Sequence, residues 1–237
     1  MMLTDWLRHW KYPSDAETLR QRIQMDPRWS AALQAYLSHP FVQPATPLSN
    51  LRFLALDFET TGLAPAHDQV LSIGMVDLTL EAIDIASHEE LLINHGQFIK
   101  PETAQINGLT PHALAQGISL ADGMNRLLER AQGKILLAHH CQIEKCFIAT
   151  FLRHHYQLQS FPACFVDTLD IEKRFSYAGK SRQHDSYQLD DLRRYYHLPD
   201  YCSHSAASDA FACGELFLVQ TKKLNLQKTP IRQLLTR

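Results

Sequence analysis

The chain has 237 residues, 45% of them hydrophobic and 20% charged, and a formal net charge of −2. That length fits one large domain, or one domain with an appendage, and the composition is that of a globular chain able to bury a core. The near-neutral balance excludes a protein that coats nucleic acid through overall charge, and no apolar run approaches the ~20 residues of a membrane span.

The N-terminal MMLTDWLRHWKYPSD mixes Trp, His and charge and lacks the apolar core of a secretory signal. Ser14 or Asp15 is placed to cap a helix. Leu19, Ile23, Trp29, Leu33 and Tyr36 then recur at roughly helical spacing, with Pro27 dividing the stretch into two short helices. HPFVQPATPLSN (39–50) holds three prolines and reads as an extended linker, so residues 1–49 form a helical extension to a domain over 50–222, with 223–237 as a tail.

From residue 51 strands and helices alternate. LRFLALDFE (51–59), QVLSIGMVDLTL (69–80) and EELLINHGQFIKP (89–101) read as three strands joined closely enough to pair antiparallel. Ser119 caps an amphipathic helix that ends at Gly133. A strand at 134–140, a helix at 143–155, a strand at 163–168, and helices at 188–197 and 207–220 follow. The expectation is a mixed α/β sheet flanked by helices. The five cysteines (Cys141, Cys146, Cys164, Cys202, Cys213) form no disulfide framework and fit reduced thiols in a cytoplasmic protein.

Chemistry concentrates at strand and helix ends. Asp57 and Glu59 alternate with Phe58, so both acids leave one face of the first strand. Two adjacent carboxylates suit a hard divalent cation, and strand ends of α/β sheets are where ligand sites form. His204 precedes Asp209 by five residues near the start of a late helix. Singly, such a His or Asp is more often structural or a helix cap.

Together, D-x-E-T-T-G-L at 57–63, an acid in a helix after Ala138-His139, and H-x-x-x-x-D at 204–209 resemble the DEDDh (DnaQ-like) 3′-to-5′ exonucleases. The nearest type is the proofreading epsilon subunit of bacterial DNA polymerase III. The resemblance covers about residues 51–220 and includes INGLT at 106–110. It implies a ribonuclease H-like fold with a mixed five-stranded sheet. It also implies two Mg²⁺ or Mn²⁺ ions per site: Asp57 bridging both, Glu59 and Asp209 completing the first, and Glu144 serving the second. His204 would be the general base, and Ser205, where another branch carries Tyr, marks the His type. Phe58, Leu63, Ile106, His139 and the backbone of Thr60 and Thr61 would meet the 3′-terminal nucleotides. From the residues alone, both Leu63 and Ile106 also read as core residues, Ile106 equally well.

The middle motif departs from the family's A-H-N-x-x-F-D: here it is Ala138-His139-His140-Cys141-Gln142-Ile143-Glu144. Its histidines and cysteines lack the spacing of a zinc site. Glu144 keeps the acid with one more methylene. Basic residues (Lys173, Arg174, Lys180, Arg182, Arg193, Arg194) alternate with aromatics and suit a rim for a single strand, beside a loop at Gly179-Lys180-Ser181. Asp167 reads as a helix cap. IRQLLTR at the C-terminus is similar to sliding-clamp-binding peptides through Gln233, Leu234 and Leu235.

The expected substrate is a single-stranded or frayed DNA 3′ end, with RNA end trimming or a catalytically weakened scaffold as alternatives. A DNA polymerase or another replication or repair protein is the expected partner class, and no membrane is expected.

Overall fold

The computed structural model describes residues 16–94, 109–181, 184–201 and 205–236. Ser14, Asp15, Ile106, Arg182, Cys202 and His204 lie outside them.

Strands β1 (Phe53–Thr60), β2 (Val70–Leu78), β3 (Ile83–Leu92), β4 (Ile135–Ala138) and β5 (Phe165–Asp167) form one sheet in the order β3-β2-β1-β4-β5. The β1–β2 and β2–β3 pairs are antiparallel, whereas β1–β4 and β4–β5 are parallel. β3 begins at Ile83 rather than at residue 89. It is an edge strand with exposed positions on both faces, Ile85 being 73% exposed, so no hydrophobic alternation marks its first half.

Helices α1 (Ala16–Arg22), α2 (Ala31–Ser38), α3 (Pro111–Ala115), α4 (Leu120–Ala131), α5 (Gln142–Tyr156), α6 (Thr168–Phe175), α7 (Tyr177–Lys180), α8 (Leu189–Tyr195) and α9 (Ala206–Lys223) surround the sheet. Ser119 caps α4 by accepting from the Asp122 N–H, and Gly133 follows with φ 65°, the left-handed turn that glycine permits. Pro27 separates α1 from α2, as its missing N–H predicts.

Strand alternation splits the core in two. Leu54, Leu56 and Phe58 face a cluster with Leu33 and Leu37 of α2, Leu127 of α4 and Phe147 of α5. Phe53, Ala55 and Val76 face Cys213 and Phe217 of α9, together with Ile231 and Leu234. The C-terminal segment is therefore not a free peptide: Leu234 is 1% exposed, and Leu235 bridges to Val166 on β5. Of the residues that resembled a clamp-binding peptide, Leu234 and Leu235 pack on the protein's own sheet instead. Residues 44–49 are hydrogen-bonded to 227–232 through pairs such as Leu48 N–H to Thr229 O and Ile231 N–H to Thr46 O. Among the described residues no helix is long and apolar enough to cross a membrane.

The α2 helix is pinned by Tyr36, 3% exposed, whose hydroxyl donates to Pro162 O at 2.9 Å and whose ring stacks on Phe161. Tyr36→Phe leaves that buried carbonyl without its donor. The expected loss is about 1–2 kcal/mol, read as a melting temperature lowered by roughly 2–4 °C per kcal/mol, with turnover unaffected.

Candidate active site

β1 delivers the first two acids. Asp57 and Glu59 project on the face that carries α9, and buried Phe58 projects into the opposite core. Asp209 comes from the first turn of α9, whose N-cap is Ser205. That helix reaches Asp57 because Gly74, paired with Asp57 across β2, has no side chain. A Cβ there would lie 2.0 Å from the carbonyl carbon of Ala206. Oxygens of Asp57, Glu59 and Asp209 consequently lie within 4.8 Å of one another. Burial, and then the charges of Glu144, Asp209, Glu59 and Glu90, push the Asp57 carboxyl well above the usual carboxylate range.

Glu144 approaches from α5 and stands outside that trio. It is 2% exposed, and its Oε2 has no hydrogen-bond partner. β4 pairs with β1 only over Phe53, Ala55 and the residue between, so farther along β1 the Phe58 N–H is left for Glu144 to accept. Burial pushes the Glu144 carboxyl up to about 8, the Asp167 charge adds to this, and the Phe58 N–H works against it.

The turn into α5 explains the altered motif. His140 has φ 63°, the left-handed region that Asn tolerates and that His enters more readily than most residues. Asp167 holds this turn: its carboxylate accepts from the N–H groups of His140 at 2.9 Å and Cys141 at 3.0 Å. It also caps α6 through the Leu169 N–H, the helix-capping role read from sequence.

His139 is braced rather than presented. Its Nε2–H donates to Tyr187 O at 2.9 Å, so in the neutral ring Nδ1 accepts from Thr168 Oγ1 at 2.7 Å. Burial lowers its pKa and so favours that neutral form. Both His139 nitrogens are thus engaged within the fold, and Phe58 is buried in the core.

The segment after β1 is a locked turn. Thr60 Oγ1 donates to Gly62 O, and Asp68 accepts from Thr61 Oγ1 at 3.1 Å and the Ala64 N–H at 2.8 Å. A Cβ on Gly62 would strike the Asp68 carboxylate at 2.6 Å. Leu63, inside this turn, is left 58% exposed.

Two parts of the expected basic rim differ. Arg193 is 1% exposed, donating to Ala212 O, Pro199 O and Glu215, and so it ties α8 to α9. Gly179 and Lys180 belong to the short helix α7, capped by Ser176, rather than to a loop. Lys173 lies 5.0 Å from the Tyr187 ring centroid, and Arg174 pairs with Asp170.

Among the described residues, the group of His, Cys, Asp and Glu close enough to share an ion is the carboxylate trio, while Cys141 and Cys146 are buried free thiols. An all-oxygen donor set beside an unpartnered buried carboxylate oxygen suits a hard divalent cation.

Comparison with known proteins agrees with this geometry. Residues 54–217 match the exonuclease family RNase_T. The chain is 26% identical over 242 residues to a PolC-type DNA polymerase III of Thermotoga petrophila, across 93% of this chain and 17% of that one. It is 28% identical over 171 residues to the DNA polymerase III subunit epsilon of Treponema pallidum, across 71% of this chain and 75% of that protein. The chain thus spans only 17% of the length of the first PolC-type relatives. The nuclease domain of 3′hExo, a DEDDh family member bound to rAMP, has the same fold with a TM-score of 0.59 at 11% identity, covering 74% of this chain and 94% of that one. Exonuclease I of E. coli, in its complex with single-stranded DNA, gives 0.61 at 17%, covering 74% and 41%. The sheet and its flanking helices are the ribonuclease H-like exonuclease fold.

Proposed function

This chain belongs to the RNase_T exonuclease family, in its DnaQ-like DEDDh branch of 3′-to-5′ exonucleases, and from that premise we propose that it removes nucleotides from single-stranded or frayed DNA 3′ ends using two Mg²⁺ or Mn²⁺ ions. The observation that carries this reading is the convergence of Asp57, Glu59 and Asp209, with oxygens within 4.8 Å, where the central strand emerges beside buried Glu144.

Asp57, Glu59, Asp209 and Glu144 would hold the cations, which would supply charge neutralisation at the scissile phosphate and a more acidic water. His204 would take the proton from the attacking water, a task an imidazole can perform near neutral pH. The new bond joins the water oxygen to phosphorus, and the 3′-oxygen of the preceding nucleotide leaves. Leu63, and with it Ile106, packs against the terminal bases, an apolar contact that tolerates any base. The backbone of Thr60 and Thr61, fixed by Asp68, borders the terminal sugar.

DNA is favoured by the epsilon-subunit relative and by the single-stranded DNA complex of exonuclease I. The rAMP complex of 3′hExo supports RNA end trimming as the second reading. A DNA polymerase or another replication or repair protein is the partner class the relatives favour.

The test uses 3′- and 5′-labelled DNA and RNA strands, duplexes and mismatched ends, with Mg²⁺ or Mn²⁺. Stepwise 3′ shortening, faster on DNA, is expected. Full-length strands in every lane would overturn the activity, and faster loss of RNA would select the second reading.

A further inference from the structure

A fifth carboxylate stands near the site. Glu90 on β3 pairs with Gly74 on β2, which pairs with Asp57 on β1, so the three residues form one row across the sheet. Directly paired residues share a face, and α9 starts over the middle of the row because Gly74 leaves room for the Ala206 backbone. Ser205, the N-cap of α9, donates through Oγ to Glu90 Oε2 at 2.7 Å and accepts from the Ser208 N–H at 3.4 Å. The helix start is thus tied to the sheet on one side of Gly74, while Asp209 meets Asp57 on the other.

We propose that Glu90 is a positioning residue for hydrolysis, fixing through Ser205 the start of α9 and hence the placement of Asp209. Asp209 lies one helical turn beyond Ser205 and donates its N–H to Ser205 O at 2.9 Å, so it inherits the position of the cap. The inference rests on the exonuclease reading. A hydrogen bond between exposed groups contributes little to global stability, so geometry rather than folding registers its loss. Misplacing catalytic groups by a fraction of an ångström lowers turnover while substrate affinity stays nearly constant.

The experiment compares wild type, E90A, E90Q, S205A and the E90A/S205A double variant on a 3′-labelled strand. E90A is expected to lose about tenfold in kcat with KM within about twofold and an unchanged melting temperature. S205A loses a similar factor, and the double variant loses no more than the worse single, because both remove one contact. E90Q, whose amide oxygen still accepts from Ser205, recovers most of the loss. Hydrogen exchange at the first-turn amides of α9 quickens in E90A. Wild-type kcat and exchange in E90A, additive losses in the double variant, or E90Q as slow as E90A would each overturn the proposal. The last result would show that the charge itself acts. A wild-type protein that shortens no strand overturns the exonuclease reading instead, a failure separate from an active wild type indifferent to E90A.

Discussion

Asp57→Asn is expected to lower strand shortening by on the order of 10³-fold while raising the melting temperature of the metal-free protein. The two effects have one cause. Asp57 is half-buried and faces the charges of Glu144, Asp209, Glu59 and Glu90, so without a cation its ionised form is disfavoured and its pKa lies well above the usual range. A carboxyl with a raised folded pKa is fully tolerated below its unfolded value near ~4, and the folded state loses stability as pH rises from there. Asparagine mimics the protonated group and removes that loss, but it cannot neutralise a cation. Melting in EDTA at pH 5 and pH 8, beside turnover in Mg²⁺, separates the effects. Wild type should lose more stability between the two pH values than the variant. A variant less stable at pH 8 would mean that Asp57 is chiefly a structural ligand of its own strand.

Which features were legible in the sequence follows from how local their causes are. β1 and β2 are read from continuous apolar runs, and α4 from its Ser119 cap and the glycine after it, because those signals lie within each element. The order of Asp57, Glu59, Glu144 and Asp209 is likewise visible along the chain. Glu90 is not, because its meaning depends on a cross-strand register that runs through Gly74. Asp68 is hidden in the same way: its neighbours are Thr61 and Ala64, and only closure of the turn brings them to it. Arg193 and Arg194 are identical letters side by side. One helical step puts the first at 1% exposure and leaves the other paired with Asp191 at the surface. The partners of His139 are hidden likewise, because both ring nitrogens find them far away in sequence, at Thr168 and Tyr187.

Glu144 carries the second large effect, a cation affinity that depends on pH. Its carboxyl is held up to about 8, chiefly by burial, and Oε2 has no partner within the fold. At neutral pH without metal the group is therefore mostly protonated, and binding a cation there must expel a proton. Calorimetry in buffers of different ionisation heat should show proton release on Mn²⁺ binding at pH 7 that fades above pH 8. Affinity should rise as pH climbs through that interval. The same raised pKa sets the metal-free stability: it is intact below the unfolded value near ~4.5 and falls by up to about 1.4 kcal/mol for each pH unit toward 8. Glu144→Gln removes this residue's share of the slope and of the proton release, leaving that of Asp57, and lowers turnover by about 10- to 100-fold. Glu144→Asp keeps the charge on a shorter arm, nearer the family's own motif but farther from the Phe58 N–H. It should retain activity within about tenfold of wild type, because the carboxylate charge matters more to the cation than the extra methylene. If Glu144→Gln released as many protons and turned over as fast as wild type, the cations would be served by Asp57, Glu59 and Asp209 alone, with Glu144 an edge acceptor for β1.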